Sequence, residues 1–367
     1  MLGVAGLLRN RDIDFVDQAF AYYRLDEEER SNSDFGRIRE DLHLHGKEEN
    51  LRVRLLGVFD TVGSLGVPMP ALEAATQLRV VNFHDTKISE LIENAYQALA
   101  VDELRGPFEL ALWTTEPRMI PKPGGGTAQQ KIRQVWFPGV HSDIGGGYSD
   151  KAFGDVVLDW MLDVASSLGL VLRDDYVARE LRPNHSAKLH NSLTRGWSAA
   201  NAIPGITKAG PRPIGNQQRQ ESGRAIEPDG RSRLVPTEIE VLHWSLKRRI
   251  AAAAEELPPD QSPYRPVNVC DARGTILAGL QQDGLRWENR LSARQILNEP
   301  GELDGRSAEI LDLSRGGARV RLEGATGTHP LAADRAIELV SLSVGARSCS
   351  IVWHRDNEVG VAFGQAA

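Results

Sequence analysis

The chain has 367 residues, with 43 Lys+Arg against 50 Asp+Glu and a formal net charge of -7. At roughly 100–200 residues per domain that length suits about two domains. A composition of 41% hydrophobic and 25% charged residues rules out a wholly disordered chain, and the acidic balance argues against a dedicated nucleic-acid binder.

Cys270 and Cys349 are too few and too far apart for a disulfide scaffold or a zinc cage. They point to a reducing cytoplasm, with a secreted effector lacking a signal peptide as the alternative. No apolar run approaches the ~18 residues that span a membrane.

The first residues, MLGVAGLL, lack the basic region and cleavage site of a signal peptide and read as the end of a buried helix. Residues 13–30 space Phe15, Ala19, Tyr22 and Tyr23 as an amphipathic helix. Residues 51–59 read as a buried strand that stops at Asp60-Thr61-Val62-Gly63. Residues 88–104 read as a helix and residues 131–137, KIRQVWF, as a strand running into Pro138-Gly139-Val140-His141-Ser142-Asp143 and the triplet Gly145-Gly146-Gly147. Residues 154–170 form a further amphipathic helix on Val157, Trp160, Met161 and Val164.

This alternation predicts an α/β layer fold. Pro121–Gln130 and the Gly, Pro, Arg and Gln-rich stretch Pro204–Pro236 interrupt it, and the second is expected as a mobile insertion or lid. Lysine is absent after Lys247, and from about Arg286 onward short alternating runs separated by turn residues predict an all-β module of about 80 residues. The expected division is therefore an α/β domain over 1–270, a linker over 271–285 and a β-barrel over 286–367.

Asp60 and His141 each end a predicted buried strand beside a glycine-rich turn. In α/β hydrolases the chain order is nucleophile, acid, histidine, and Asp60 before His141 matches the last two. Such an acid fixes the imidazole tautomer, and the histidine takes and returns the nucleophile's proton. Asp102 is a rival acid. A turn-forming aspartate is the structural alternative for Asp60. His43 and His45 have no third ligand nearby in sequence, so no metal site is expected.

LLGVFDTVGSLG, AYQALAVDELRGPF, VWFPGVHSDIGGGY, LHWSLKRR and YRPVNV together resemble the α/β hydrolase family of uncharacterised domains that includes the type VI secretion phospholipase effectors. The resemblance spans about residues 1–270. It implies an α/β-hydrolase-like three-layer sheet, Asp60 as the acid and His141 as the base, with Asp143 and the following glycines shaping the loop around His141. It implies a lipid or ester substrate.

Two departures stand out. The family's Gly-Phe-Ser-Arg-Gly elbow would precede MLGVAGLL, and none of Gly63-Ser64, Gly147-Tyr148-Ser149 or Gly196-Trp197-Ser198 makes a G-x-S-x-G. Gln97 stands where the family has a histidine. The expectation is a sheet incomplete at its start, covered by a protein partner or a second copy, and a chain without its serine nucleophile.

In the last module, Arg286, Arg290 and Arg294 overlap as two R-x-x-x-R frames, followed by Asp312-Leu313-Ser314-Arg315-Gly316-Gly317. Guanidinium groups grip phosphate bidentately and stack on bases, and Asp and Ser on a tight turn can read a guanine edge. The module resembles the PilZ domain, a receptor for cyclic di-GMP. The resemblance implies Arg286, Arg290, Arg294, Asp312, Ser314 and Gly317 as the ligand residues, with Arg286 and Arg290 the favoured frame. The functional expectation is a hydrolase-type domain under cyclic di-GMP control, with this chain expected to be inactive because the serine nucleophile elbow is absent from it. The alternative is a non-enzymatic, cyclic di-GMP-responsive binding protein that uses the hydrolase fold as a docking platform.

Overall fold

The structure is a computed structural model. It describes residues 8–25, 27–36, 52–62, 64–65, 81–82, 87–122, 125–193, 210–226, 230, 232–288, 295–314, 317–323, 336–341, 345–355 and 357–363. Residues 1–7, His43, His45, Arg290 and Arg294 lie outside them.

Chain order begins with helices α1 (Val16–Tyr23) and α2 (Glu27–Ser31), then strands β1 (Leu56–Phe59), β2 (Ser64–Leu65), β3 (Val81–Asn82) and β4 (Asn94–Ala100). The hairpin β5 (Met119–Pro121) and β6 (Thr127–Gln129) follows, then β7 (Lys131–Phe137) and helices α3 (His141–Gly145), α4 (Ala152–Ser167), α5 (Asp174–Glu180) and α6 (Gly215–Glu221). The domain closes with β8 (Glu240–His243), α7 (Trp244–Ala251), α8 (Ala278–Gln282) and β9 (Arg286–Glu288).

Strands β1, β4, β7, β8 and β9 form one sheet in that spatial order, and every pairing is parallel. Its faces follow from the two-residue alternation of side chains along a strand. Ala98, Ala100, Val135 and Phe137 meet α4 on one face through Val157, Trp160, Met161 and Val164. Leu99, Val101, Trp136 and Leu242 meet α7 and α8 on the other through Leu246, Ile250 and Leu280. Each large side chain buried this way contributes about 1.5–3 kcal/mol, which fixes the three layers.

Three expectations change. Residues 88–104, expected as a helix, contain β4, and Asn94–Ala100 becomes the strand between β1 and β7. Small alanines on one face and Leu99 on the other suit a central strand, so tertiary burial overrides helix propensity. The stretch Pro204–Pro236, expected as a lid, places Arg212, Ile214, Arg219 and Val235 in the interior. Arg219 and Glu240 form a buried ion pair there, and Glu240 also accepts from Trp136 Nε1 at 2.8 Å.

The segment 271–285, expected as a linker, carries α8 and packs Leu280 beside Val269 and Cys270. The sheet then runs on into β9, where Arg286 lies opposite Val241 and Trp287 opposite Leu242. The sheet thus draws its last strand from residues expected to start the barrel.

Residues 295–363 form a closed antiparallel barrel in the order β10 (Gln295–Leu303), β11 (Arg306–Ser314), β12 (Gly317–Leu322), β15 (Glu358–Phe363), β14 (Gly345–Arg355) and β13 (Ile337–Ser341), with β13 returning to β10. Alternate residues Ala318, Val320 and Leu322, with Val359 and Val361, fill it. Closure leaves the barrel no open edge. Outside, Arg321 bridges Glu309 and Glu358 as part of a solvated strand face.

Candidate active site and ligand module

Asp60 follows β1 directly in a left-handed conformation, φ +44°. Few residues other than glycine tolerate that region, and Asp is among them. The bend turns its side chain across the end of β4. The Asp60 amide donates to the Ala98 carbonyl at 2.7 Å, and Asp60 Oδ1 accepts from the Ala100 amide at 2.7 Å. The carboxylate thereby reaches the far side of β4, toward a residue four positions past the end of β7.

That residue is His141, the first of α3. Its Nδ1 lies 2.7 Å from Asp60 Oδ2, and the Phe108 ring meets it edge-on at 5.0 Å between centroids. An ionised Oδ2 can only accept, so Nδ1 carries the proton and Nε2 is the basic nitrogen. Nε2 has no partner among the described residues. The pair joins two strand ends that share β4 as neighbour, as the sequence order of acid and histidine anticipates.

Arg212 completes the arrangement. Its Nη1 and Nη2 hold Asp60 Oδ1 and Oδ2 at 2.7 and 3.1 Å, and the same nitrogens donate to the carbonyls of Ala100 and Phe108 at 3.0 and 2.6 Å. Burial pushes the Asp60 carboxyl up, but the charge of Arg212 and the hydrogen bonds from His141 and Arg212 outweigh it, so its pKa lies below the usual value. Asp60 is fully buried and remains an anion.

Asp102, the rival acid, does not touch His141. It accepts from the Gly139 amide at 2.6 Å and from the Tyr264 hydroxyl at 2.8 Å. Burial raises its pKa to about 6 against those two hydrogen bonds, and the Asp143 charge adds to the rise. Gln97 is buried in β4, with Nε2 3.5 Å from the Ala111 carbonyl. A third histidine at a strand end, His243, is buried against Phe137 and hydrogen-bonded to Ser245, and burial holds it well below 6.5. It is structural.

The loop of His141 is built by Asp143. Its Oδ2 reaches back to the Val140 amide at 3.0 Å, the reciprocal bond of a capped helix start. Gly139 sits at φ +110°, and a Cβ there would fall 2.7 Å from Asp143 Cβ. A glycine is required on both counts.

Asp143 does more than shape the loop. Its Oδ1 lies 2.7 Å from His190 Nδ1, and its Oδ2 accepts from the His190 amide at 3.1 Å. Tyr148 stacks on the His190 ring at 3.7 Å. A second Asp–His pair therefore stands two residues from the first. Glu103 ties the two together, accepting from the His141 amide at 3.2 Å and from Ser192 Oγ at 2.8 Å. Arg212 and His190, which contact Asp60 and Asp143, are the residues of this site that sequence reasoning did not single out.

In the barrel, Ser314 pairs with Gly317 and Asp312 with Arg319, so Asp312 and Ser314 lie at the end of β11 and Gly317 at the start of β12. Gly317 is buried, and a Cβ there would meet the Val361 carbonyl oxygen at 2.0 Å. Its lack of a side chain is a packing requirement of β15. Arg286 is exposed on β9, part of the other domain's sheet. The side chains of Asp312 and Ser314 lie outside the description.

A parallel α/β sheet with a buried carboxylate orienting a histidine across its strand ends defines the first domain as hydrolase-like, and the second is a six-stranded barrel. Residues 1–164 match the model "T6SS, Phospholipase effector Tle1-like, catalytic domain", and residues 286–366 match the PilZ domain. The chain thus joins a phospholipase-effector-like catalytic domain to a PilZ domain. No curated protein and no solved structure matches it. The first match ends within α4, so Arg212 and His190 lie beyond it.

Proposed function

We propose that the first domain hydrolyses carboxylic esters of lipids, with His141 as general base and Asp60 as the acid that orients it, and that the PilZ domain takes cyclic di-GMP as its regulatory ligand. The observation that carries the first part is the Asp60–His141 contact at 2.7 Å, with Arg212 keeping Asp60 ionised. His141 Nε2 takes a proton from the attacking water as the water oxygen bonds to the ester carbon. It then delivers that proton to the departing alkoxide as the carbon–oxygen bond breaks. Asp60 stabilises the imidazolium formed between the steps and does not itself take the proton.

The PilZ match supports the second part, with Arg286, Arg290, Arg294, Asp312, Ser314 and Gly317 as the proposed ligand residues. The continuity of β9 with the hydrolase sheet gives a ligand at the arginines a direct mechanical connection to β8.

A second reading is a non-enzymatic, cyclic di-GMP-responsive platform. It is favoured by the lack of a G-x-S-x-G in the sequence. Fatty-acid release from a short-chain phospholipid by the full chain, with and without cyclic di-GMP, separates the two. Turnover that disappears in His141→Ala supports the hydrolase. No turnover under either condition, with cyclic di-GMP binding intact by calorimetry, supports the platform.

A further inference from the structure

Beside the Asp60–His141 pair lies a cavity of about 380 Å³, within the size range of small-molecule sites. Its described lining includes Arg105, Lys188 and His190 with the hydroxyls of Ser142, Tyr148 and Ser192, and no carboxylate. Two buried carboxylates, Glu103 and Asp143, stand behind the lining and aim it. Glu103 holds Arg105 through Nε and Nη2 at 2.9 Å each and holds Ser192 Oγ at 2.8 Å. Asp143 takes His190 Nδ1, and Nε2 has no partner among the described residues. Lys188 pairs with Asp260.

The donors are preorganised. Glu103 and Asp143 are nearly inaccessible to solvent, so Arg105 and His190 are fixed without a bound ligand. Arg105 and Lys188, each held by a carboxylate, turn their remaining N–H groups to a phosphate, while His190 Nε2, an acceptor because Nδ1 donates to Asp143, takes a hydroxyl of the group that carries it.

The cavity adjoins the first site. Ser142 follows His141 in α3. Arg105 lies 3.5 Å above the Phe108 ring, whose edge meets His141. A ligand with its phosphate in the cavity would present neighbouring atoms toward His141.

We propose that this cavity is the subsite for the phosphate-bearing glycerol headgroup of a glycerophospholipid, read by His190, Arg105 and Lys188. The proposal rests on the reading of the Asp60–His141 site as a lipid-ester hydrolase and names the part of the substrate it grips. His190 acts here as a binding residue positioned by Asp143.

The test is calorimetry of the full chain with four probes: dibutyroyl phosphatidylglycerol, glycerol 3-phosphate, inorganic phosphate and glycerol. The expected result is saturable binding of the lipid and of glycerol 3-phosphate, the lipid tighter. His190→Gln and Lys188→Ala should each weaken both at least tenfold. Lys188 is exposed at the surface, so Lys188→Ala keeps the fold and the test readable if His190→Gln melts early. No binding of the phosphate probes overturns the proposal, as does binding that both variants leave unchanged. Inorganic phosphate or glycerol binding as tightly as glycerol 3-phosphate overturns it too. Binding needs no turnover, and esters without phosphate need no headgroup site, so failure here and failure of the hydrolase reading are distinguishable.

Discussion

Arg212 grips Asp60 at both carboxylate oxygens, although 152 positions separate them in the chain. The pair sits beneath His141 and sets the charge on which its orientation depends. Its removal is correspondingly costly. Arg212→Met leaves the Asp60 carboxylate buried without its cation, and breaking one side of a buried pair costs about 3–5 kcal/mol. Urea denaturation at pH 7 reads that loss. The sign with pH follows from the lowered Asp60 pKa. The wild type holds this contribution in full above the unfolded value near 3.8 and loses it as pH falls through the lower folded value. The Arg212→Met chain lacks this acid dependence.

Asp102 works in the opposite direction. Its pKa of about 6 exceeds the unfolded 3.8, so the native state binds a proton that the unfolded state has released between those values. Stability therefore falls as pH rises from about 4 to 6, by up to about 3 kcal/mol. Asp102→Asn keeps an acceptor for the Gly139 amide and the Tyr264 hydroxyl and abolishes that slope. Denaturation midpoints at pH 4, 5 and 6 measure it.

Gly139→Ala places a Cβ against Asp143 and strains a positive φ. The expected cost is about 1–3 kcal/mol, and because Asp143 anchors both α3 and His190, the His141 and His190 ring signals should shift together in NMR spectra.

Much of this site was legible in the sequence. Asp60 and His141 stand at the ends of short Val- and Leu-rich runs, where a parallel sheet exposes its chemistry, and the VWFPGVHSDIGGGY run is specific. Arg212 and His190 were not legible. Each reaches its partner by long-range folding, at no spacing that a helix or strand imposes, and Arg212 lies in a Gly- and Pro-rich stretch whose composition suggests a lid. β4 was misread for a related reason. NAYQALA suits a helix locally, and its burial between β1 and β7 decides otherwise. The barrel's alternating runs were clear because each strand has one face in the core. Its lower boundary was not, since β9 pairs with a strand that ends 43 residues earlier, at His243.

That boundary makes its own prediction. Trp287 lies in the PilZ-matched segment yet packs with Leu242 and Leu246, and Lys247 approaches its ring at 5.9 Å. Trp287→Ala should remove about 2–4 kcal/mol from the first domain. Hydrogen exchange would show it as lost protection in β8. A change confined to the barrel strands would place the domain boundary before β9.

The most direct test of the account is the kcat of Asp60→Asn on the short-chain phospholipid, measured against the wild-type chain. An amide at position 60 cannot enforce the Nδ1–H tautomer of His141, and replacing such an acid lowers kcat by about 10⁴ where the geometry is kept. The account predicts a fall of about 10³–10⁴ with KM little changed. A variant that turns over the ester at the wild-type rate would contradict it.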